Sequence, residues 1–207
     1  MSYSYVITRD YGFAPNPFHG YCTLATCKPN IRKAANVGDC VIGTGSANQK
    51  VCRGNQLLFA MCVEEKLTYK DYWNDIRFQI KKPIMNASKK YLYGDNIYCF
   101  DDSQNRLVQQ DSHHSHPDGT ENMKNYNRDT NGKYVLISKT FWYFGREAPT
   151  IPKYLIPDIV KCGRGYKKIT EDNAIVMMVD WLTSISKQGC CGSPLEFDRD
   201  FKRYNGT

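Results

Sequence analysis

Tyr134-Val135-Leu136-Ile137-Ser138-Lys139-Thr140-Phe141-Trp142-Tyr143-Phe144 is the stretch that decides the fold class. Val135, Ile137, Phe141 and Tyr143 fall on alternate positions, the period of a strand with one buried face. The stretch as a whole is rich in β-branched and aromatic residues, the types that fit a pleated surface.

Working outward, Tyr3 to Thr8, Tyr21 to Cys27, Cys40 to Ile42, Gln56 to Glu64, Ile76 to Ile80 and Asn96 to Phe100 read as further extended segments. Asp101 to Asn105 reads as a hairpin turn. Helical signals are fewer. Ile31 to Ala35 is short, and Tyr69 to Asp75 follows a Thr68 cap with Asp71 three residues on. Glu171 to about Lys187 places Ile175, Val179, Leu182 and Ile185 near the 3.6-residue period, between a Thr170 cap and Gly189. About seven short strands and two or three helices without β-α alternation argue against a doubly wound sheet. The expected fold is α+β: a mixed, mostly antiparallel sheet or a partly open small β-barrel, flanked by two or three helices. A single domain over residues 1–207 is expected, with a long polar loop at about 111–133.

The chain carries 28 Lys and Arg against 21 Asp and Glu, a formal net charge of +7, which favours anionic partners such as nucleotides or nucleic acid. Nine cysteines do not make a disulfide scaffold here, because the number is odd and several lie within apparent strands. The opening Met1 to Ile7 has no basic segment followed by an apolar run, and no stretch reaches the roughly 20 apolar residues of a membrane span. A cytoplasmic protein with no membrane association is expected.

Several segments have side chains suited to chemistry. Gly43-Thr44-Gly45-Ser46 follows a strand and offers backbone amides that can approach a phosphate, or is simply a strand end with a glycine bulge. Cys162-Gly163-Arg164-Gly165-Tyr166-Lys167-Lys168 is the most basic loop. Tyr72-Trp73-Asn74-Asp75-Ile76-Arg77-Phe78 combines stacking rings with polar groups that can read a base edge, and equally suits a helix anchored to a sheet. His113-His114-Ser115-His116 holds three of the four histidines but lacks the spacing of a metal site, and solvated side chains are the commoner outcome in a polar loop. His19, Cys22 and Cys27 form a loose cluster that matches no zinc pattern. Thiol catalysis by Cys22 beside His19 is weaker than a structural role there. No metal and no cofactor is expected.

Three strings together carry a likeness: residues Arg9 to Phe18 (RDYGFAPNPF), Val37 to Ser46 (VGDCVIGTGS) and Gly94 to Tyr98 (GDNIY). With Tyr143-Phe144-Gly145 and Gly163-Arg164-Gly165, they resemble the nucleotide modification associated domain 2 family over essentially the whole chain. Cys40 departs from the aromatic residue common in that family at this position. The resemblance implies a bacterial or phage protein linked to DNA base modification, without catalytic residues to carry over. The Val-Gly-Asp turn and the strand after it also look like the small barrels of the PUA, ASCH and EVE group, which bind RNA or modified bases.

The leading expectation is a binding module for a nucleotide, or for a modified base in nucleic acid, acting in DNA modification or phage–host conflict. Asn16 and Phe18 would line its first loop, and Thr44, Gly45 and Ser46 would contact phosphate or base edges. Tyr72 and Trp73 would stack, while Arg164 and Lys167 would neutralise phosphate. The rival is an enzyme acting on a nucleotide or nucleobase, with His19 or His114 as general base and Asp39 or Asp95 orienting it. What separates the two is whether a histidine lies beside a carboxylate. A protein-interaction adaptor is a third reading.

Overall fold

The alternation over residues 134–144 resolves into two strands, because Ser138 and Thr140 turn the chain between them and its halves enter different sheets. The computed structural model describes residues 1–48 and 52–205. In chain order the strands begin with β1 (Ser2–Ile7), β2 (Cys22–Leu24), β3 (Cys40–Gly45), β4 (Leu57–Cys62) and β5 (Glu65–Thr68). Then come β6 (Tyr98–Asp101), β7 (Arg106–Gln109), β8 (Tyr134–Ser138), β9 (Phe141–Tyr143), β10 (Tyr166–Ile169) and β11 (Gly189–Cys190). The helices are α1 (Pro29–Ala34), α2 (Tyr69–Asn74), α3 (Lys89–Leu92), α4 (Met123–Thr130), α5 (Ile156–Ile159) and α6 (Asp172–Ile185). The architecture is α+β with open sheets rather than a closed barrel.

The chain forms two compact units. The first comprises Met1–Asp10, Ala35–Glu64 and Ser138–Glu196. Its six-stranded sheet runs β10-β1-β3-β4-β9-β11. The β1–β3 and β9–β11 pairs are parallel and the other three are antiparallel. Helix α6 buries Ala174, Met178 and Leu182 in the core with Ile42, Leu57, Ala60 and Trp142. Lys167 and Lys168, read from sequence as part of a loop, lie in the edge strand β10, paired with β1. Charged edges of this kind discourage pairing with other chains. The cap of α6 is Glu171, one residue beyond the expected Thr170, and it makes no side-chain capping bond.

The second unit comprises Tyr11–Ala34, Glu65–Ile137 and Phe197–Thr207. It holds the sheet β2-β8-β5, with β8 up to Ile137, and the hairpin β6-β7. Its core is aromatic: Phe13, Tyr69, Tyr72, Phe78, Tyr93 and Tyr98 pack with Ile97, Val135 and Ile137. Thr68 caps α2 as expected, its hydroxyl oxygen accepting the Asp71 N–H. Two expectations fail here. Residues 76–80 are not extended but belong to a 3₁₀ turn, Ile76–Lys81, started by the Asp75 side chain accepting the Arg77 N–H. The stretch at 111–133 is not a structureless loop: it contains α4, and Ser112, His113, His114 and Ser115 are buried.

Candidate active site

Strand β2 leads through Ala25 and Thr26 into a sharp turn and then α1. At the turn, Cys27 and Lys28 both adopt left-handed backbone angles, with φ of 55° and 40°. For side chains other than glycine this conformation costs about 1–2 kcal/mol per residue and persists only where surrounding contacts enforce it. Here Asp129 Oδ1 accepts the Cys27 N–H at 2.8 Å, and Arg32 Nε donates to the Cys27 carbonyl at 2.8 Å. The fully buried Arg32 also donates to Tyr69 Oη, the Tyr134 carbonyl and the Asp129 carbonyl, so one guanidinium ties the turn to the end of α4. Gly132 makes room for it, since a Cβ there would lie 2.3 Å from the Arg32 guanidinium carbon.

The half-buried Cys27 thiol faces His114, with Sγ 3.9 Å from Nε2. On the far side of the ring, His114 Nδ1 lies 2.6 Å from Asp129 Oδ2. His114 and Asp129 are fully buried. An ionised carboxylate can only accept, so Nδ1 carries the proton and Nε2 is the nitrogen that exchanges one with the thiol. The carboxylate is itself held: Tyr98 Oη donates to Oδ2 at 2.9 Å, and Gln109 Nε2 donates to Tyr98 Oη at 3.1 Å. His114 is positioned through its backbone, with Asn125 Nδ2 donating to its carbonyl at 2.9 Å, and Phe13 packs against its ring.

Burial opposes ionisation of all three groups, yet their mutual contacts outweigh it. For Cys27, burial raises the pKa, but the hydrogen bond to His114 and its charge bring it below the ordinary thiol value. For His114, burial lowers the pKa, but the charge and hydrogen bond of Asp129 lift it to about 9. For Asp129, burial is overcome by His114 and then Arg32, and the carboxyl titrates below its usual range. A thiol with a lowered pKa, an imidazole as its proton partner and a carboxylate orienting the imidazole define an activated nucleophile. Neighbouring His113 is driven the other way, to about 3, by burial and by the charge of His114.

The residues singled out from sequence are distributed differently. His114 is in this set. Asp95 is fully buried elsewhere in the second unit, where Oδ2 accepts from Thr23 Oγ1 at 2.6 Å and Oδ1 from Tyr72 Oη at 2.8 Å. Asn16 belongs to the same region: Nδ2 donates to the Tyr93 carbonyl, and Oδ1 accepts from Phe18 N–H and Lys81 Nζ. Phe18 is buried against Phe197. His19 packs its ring on Tyr91, and burial followed by the charges of Lys81 and Lys90 lowers its pKa. Trp73 is half-buried under Lys82, whose Nζ is 3.5 Å from its ring centre.

Asp39, in the first unit, accepts from the Met1 ammonium at 3.0 Å and from the Asn36 N–H at 2.8 Å. Thr44 and Gly45 end strand β3, and Ser46 accepts from Asn48 N–H. A Cβ on Gly43 would lie 2.3 Å from the Phe59 ring and one on Gly45 2.1 Å from the Arg53 carbonyl oxygen, so close packing accounts for both glycines. Arg164 is exposed, and half-buried Lys167 donates to the Pro157 carbonyl. Sequence reading missed Cys27 as a nucleophile and Asp129 altogether. The one local signal for Cys27 was its place just before Pro29, where a short helix begins.

Among the described residues, no group of three His, Cys, Asp or Glu is arranged to hold a metal ion, and no helix is long and apolar enough to cross a membrane. An α+β protein of open sheets with a buried Cys–His–Asp set is thus the class that fold and site define. The chain belongs to the nucleotide modification associated domain 2 family, whose model matches residues 1–201. The family is associated by its description with nucleotide modification. No curated protein and no solved structure matches the chain.

Proposed function

We propose that the chain is an enzyme acting on a nucleotide or nucleobase, with Cys27 as nucleophile, His114 as its proton partner and Asp129 as the group orienting His114. The observation that carries this is the unbroken contact series from Cys27 Sγ through the His114 ring to Asp129, at 3.9 and 2.6 Å. The association of the family with nucleotide modification supports a nucleotide or nucleobase as substrate. Asn16 and Tyr72 are buried and engaged in hydrogen bonds within the protein, which favours the enzyme over a binding module that would use them.

In this reading the thiolate forms a C–S bond to an electrophilic carbon of the substrate. The π-electron pair of that carbon moves to its neighbour, and the His114 imidazolium supplies the proton the neighbour needs. Cleavage of the C–S bond later returns that proton to His114. Phe13 on the His114 ring and Tyr98 on Asp129 keep both groups from rotating out of line.

The test is alkylation by iodoacetamide, followed cysteine by cysteine with peptide mass spectrometry from pH 5 to 9. Cys27 is expected to react below pH 7, ahead of the exposed Cys52, Cys162 and Cys190, and to lose this advantage in H114A. If Cys27 titrates with or after those three, the nucleophile assignment is wrong.

A further inference from the structure

In the first unit, the register of β3 and β4 sets Cys40 directly opposite Cys62. The backbone N–H groups of the two point away from each other. Cys40 N–H donates to Ser2 Oγ at 2.9 Å, and Cys62 N–H to the Thr140 carbonyl at 3.0 Å. At the adjoining position the bond does cross the pair, with Val63 N–H donating to the Asp39 carbonyl at 2.8 Å. Cys40 and Cys62 are therefore a non-hydrogen-bonded pair, the sites at which antiparallel strands come closest, with Cα atoms about 4.5 Å apart. A disulfide spans Cα separations of about 4.4–6.8 Å, so such a pair lies within its reach.

Directly opposed residues of an antiparallel pair point to the same face of the sheet. Here Cys40 belongs to the core that includes α6, and Cys62 packs against that core. The two thiols are in hydrogen-bond contact, and the contact distinguishes them. Cys40 is 2% exposed, and its bond to Cys62, followed by burial, drives its pKa far up. Cys62 is half-buried, and the same bond brings its pKa below the ordinary thiol value despite burial and the charge of Glu64. The more accessible sulfur is thus the one that ionises, with a second thiol held against it. An oxidised sulfur so placed condenses with its neighbour to a disulfide.

We propose that Cys40 and Cys62 form a reversible modification site, which a peroxide closes into a disulfide across β3 and β4. The Cys62 thiolate attacks one peroxide oxygen and becomes a sulfenic acid. The other oxygen leaves as hydroxide and takes up the proton that the thiol released, giving water. The Cys40 sulfur then attacks the Cys62 sulfur, the S–O bond breaks, and the hydroxyl leaves with the Cys40 proton as a second water. The two sulfurs give up two electrons and the peroxide accepts them. A dithiol reverses the change by thiol–disulfide exchange. None of this depends on the reading of Cys27, which lies in the other unit.

The test treats the native full-length chain with hydrogen peroxide, blocks the remaining thiols with N-ethylmaleimide and maps tryptic peptides without reductant. Cleavage after Arg53 separates the two cysteines, so a link between them is read directly. A peptide joining Cys40 to Cys62 should hold most of the Cys62 signal and disappear after dithiothreitol. In C40A, which replaces a buried thiol by a small apolar side chain, Cys62 should stop at the sulfenic acid and be trapped by dimedone. The wild-type map tests the link without relying on the folding of that variant. The proposal is overturned if Cys62 is oxidised to a sulfinic acid or linked to a third cysteine while Cys40 stays a free thiol. It is equally overturned if both remain thiols while the exposed Cys52, Cys162 and Cys190 are oxidised. A folded C40A that gives no dimedone adduct shows that Cys62 is not the attacking sulfur, and the proposal fails.

Discussion

The second unit contains two buried polar sets built from similar groups, and they differ in how completely their donors are matched. Around Lys81 the match is complete: its ammonium donates to the Asn16 carbonyl, Asn16 Oδ1 and the Tyr21 carbonyl, which uses all three protons. Nearby, Asp95 receives the hydroxyls of Thr23 and Tyr72. Around Cys27 the match stops short. Asp129 is saturated by Cys27 N–H, Tyr98 and His114, but the series ends on a half-buried sulfur, and Arg128 Nε, 3.6 Å from Asp129 Oδ1, has no hydrogen-bond partner. Satisfied buried networks fix one packing arrangement, whereas a network that ends on a reactive atom retains chemistry for a substrate. Burial and ionisable residues are common to both sets, so neither property alone marks a site.

Breaking the sealed set should give the largest effect. D95A leaves the buried Tyr72 hydroxyl without its acceptor, leaves the Thr23 hydroxyl a long 3.5 Å contact to the Asn16 carbonyl, and removes the carboxylate that offsets the Lys81 charge, which should destabilise the protein by about 3–5 kcal/mol in urea unfolding. The same variant should leave the pH profile of Cys27 alkylation unchanged in its folded fraction. A shift of that profile would mean that the two sets are coupled.

The two regions should also respond to pH with opposite signs. Burial lowers the Lys81 pKa from 10.5 to about 8, so the unfolded chain binds more protons between those values and stability rises with pH across that window. K81M should flatten the rise. His114, raised from 6.5 to about 9, contributes stability that is fully present below pH 6.5 and is lost as pH rises through about 9. The lowered Cys27 pKa acts in the opposite sense and partly offsets this, while C27A also removes part of what raises His114, so D129N, which removes the largest cause, should flatten the loss most. Urea unfolding from pH 6 to 10 measures both.

Smaller effects sharpen the open set. H114A should slow Cys27 alkylation at pH 6 at least about tenfold, because the thiolate loses its imidazolium partner. Y98F removes one of the donors to Asp129 and should cost about 1 kcal/mol of stability while shifting the alkylation profile less than H114A does. Equal shifts in the two variants would give Tyr98 a larger part in positioning the series than its single contact implies.

The contrast also explains what the sequence conveys. Helix α6 and strand β1 were legible because their apolar residues repeat with the period of the element, and β3 and β4 because they are short apolar runs bounded by turn residues. Helix α4 was not: Lys124-Asn125-Tyr126-Asn127-Arg128-Asp129 has almost no apolar period, and its burial depends on partners such as Tyr98, Arg32 and His114 from distant segments. His114 was visible as chemistry within a histidine cluster, but not its environment. Cys27 was grouped with His19 and Cys22 because they are near in sequence, whereas its partner lies 87 residues away. The 3₁₀ turn at Ile76–Lys81 was hidden because one side chain, Asp75, starts it.

Residues 27, 114 and 129 come from three segments that meet only when the second unit is assembled. In the denatured chain Cys27 is an ordinary thiol among nine, and its acid-side reactivity should vanish under denaturant and return on refolding. That sulfur is therefore a built-in reporter of native assembly. It reads, at one atom and without an added label, whether β2, the histidine segment and α4 have come together.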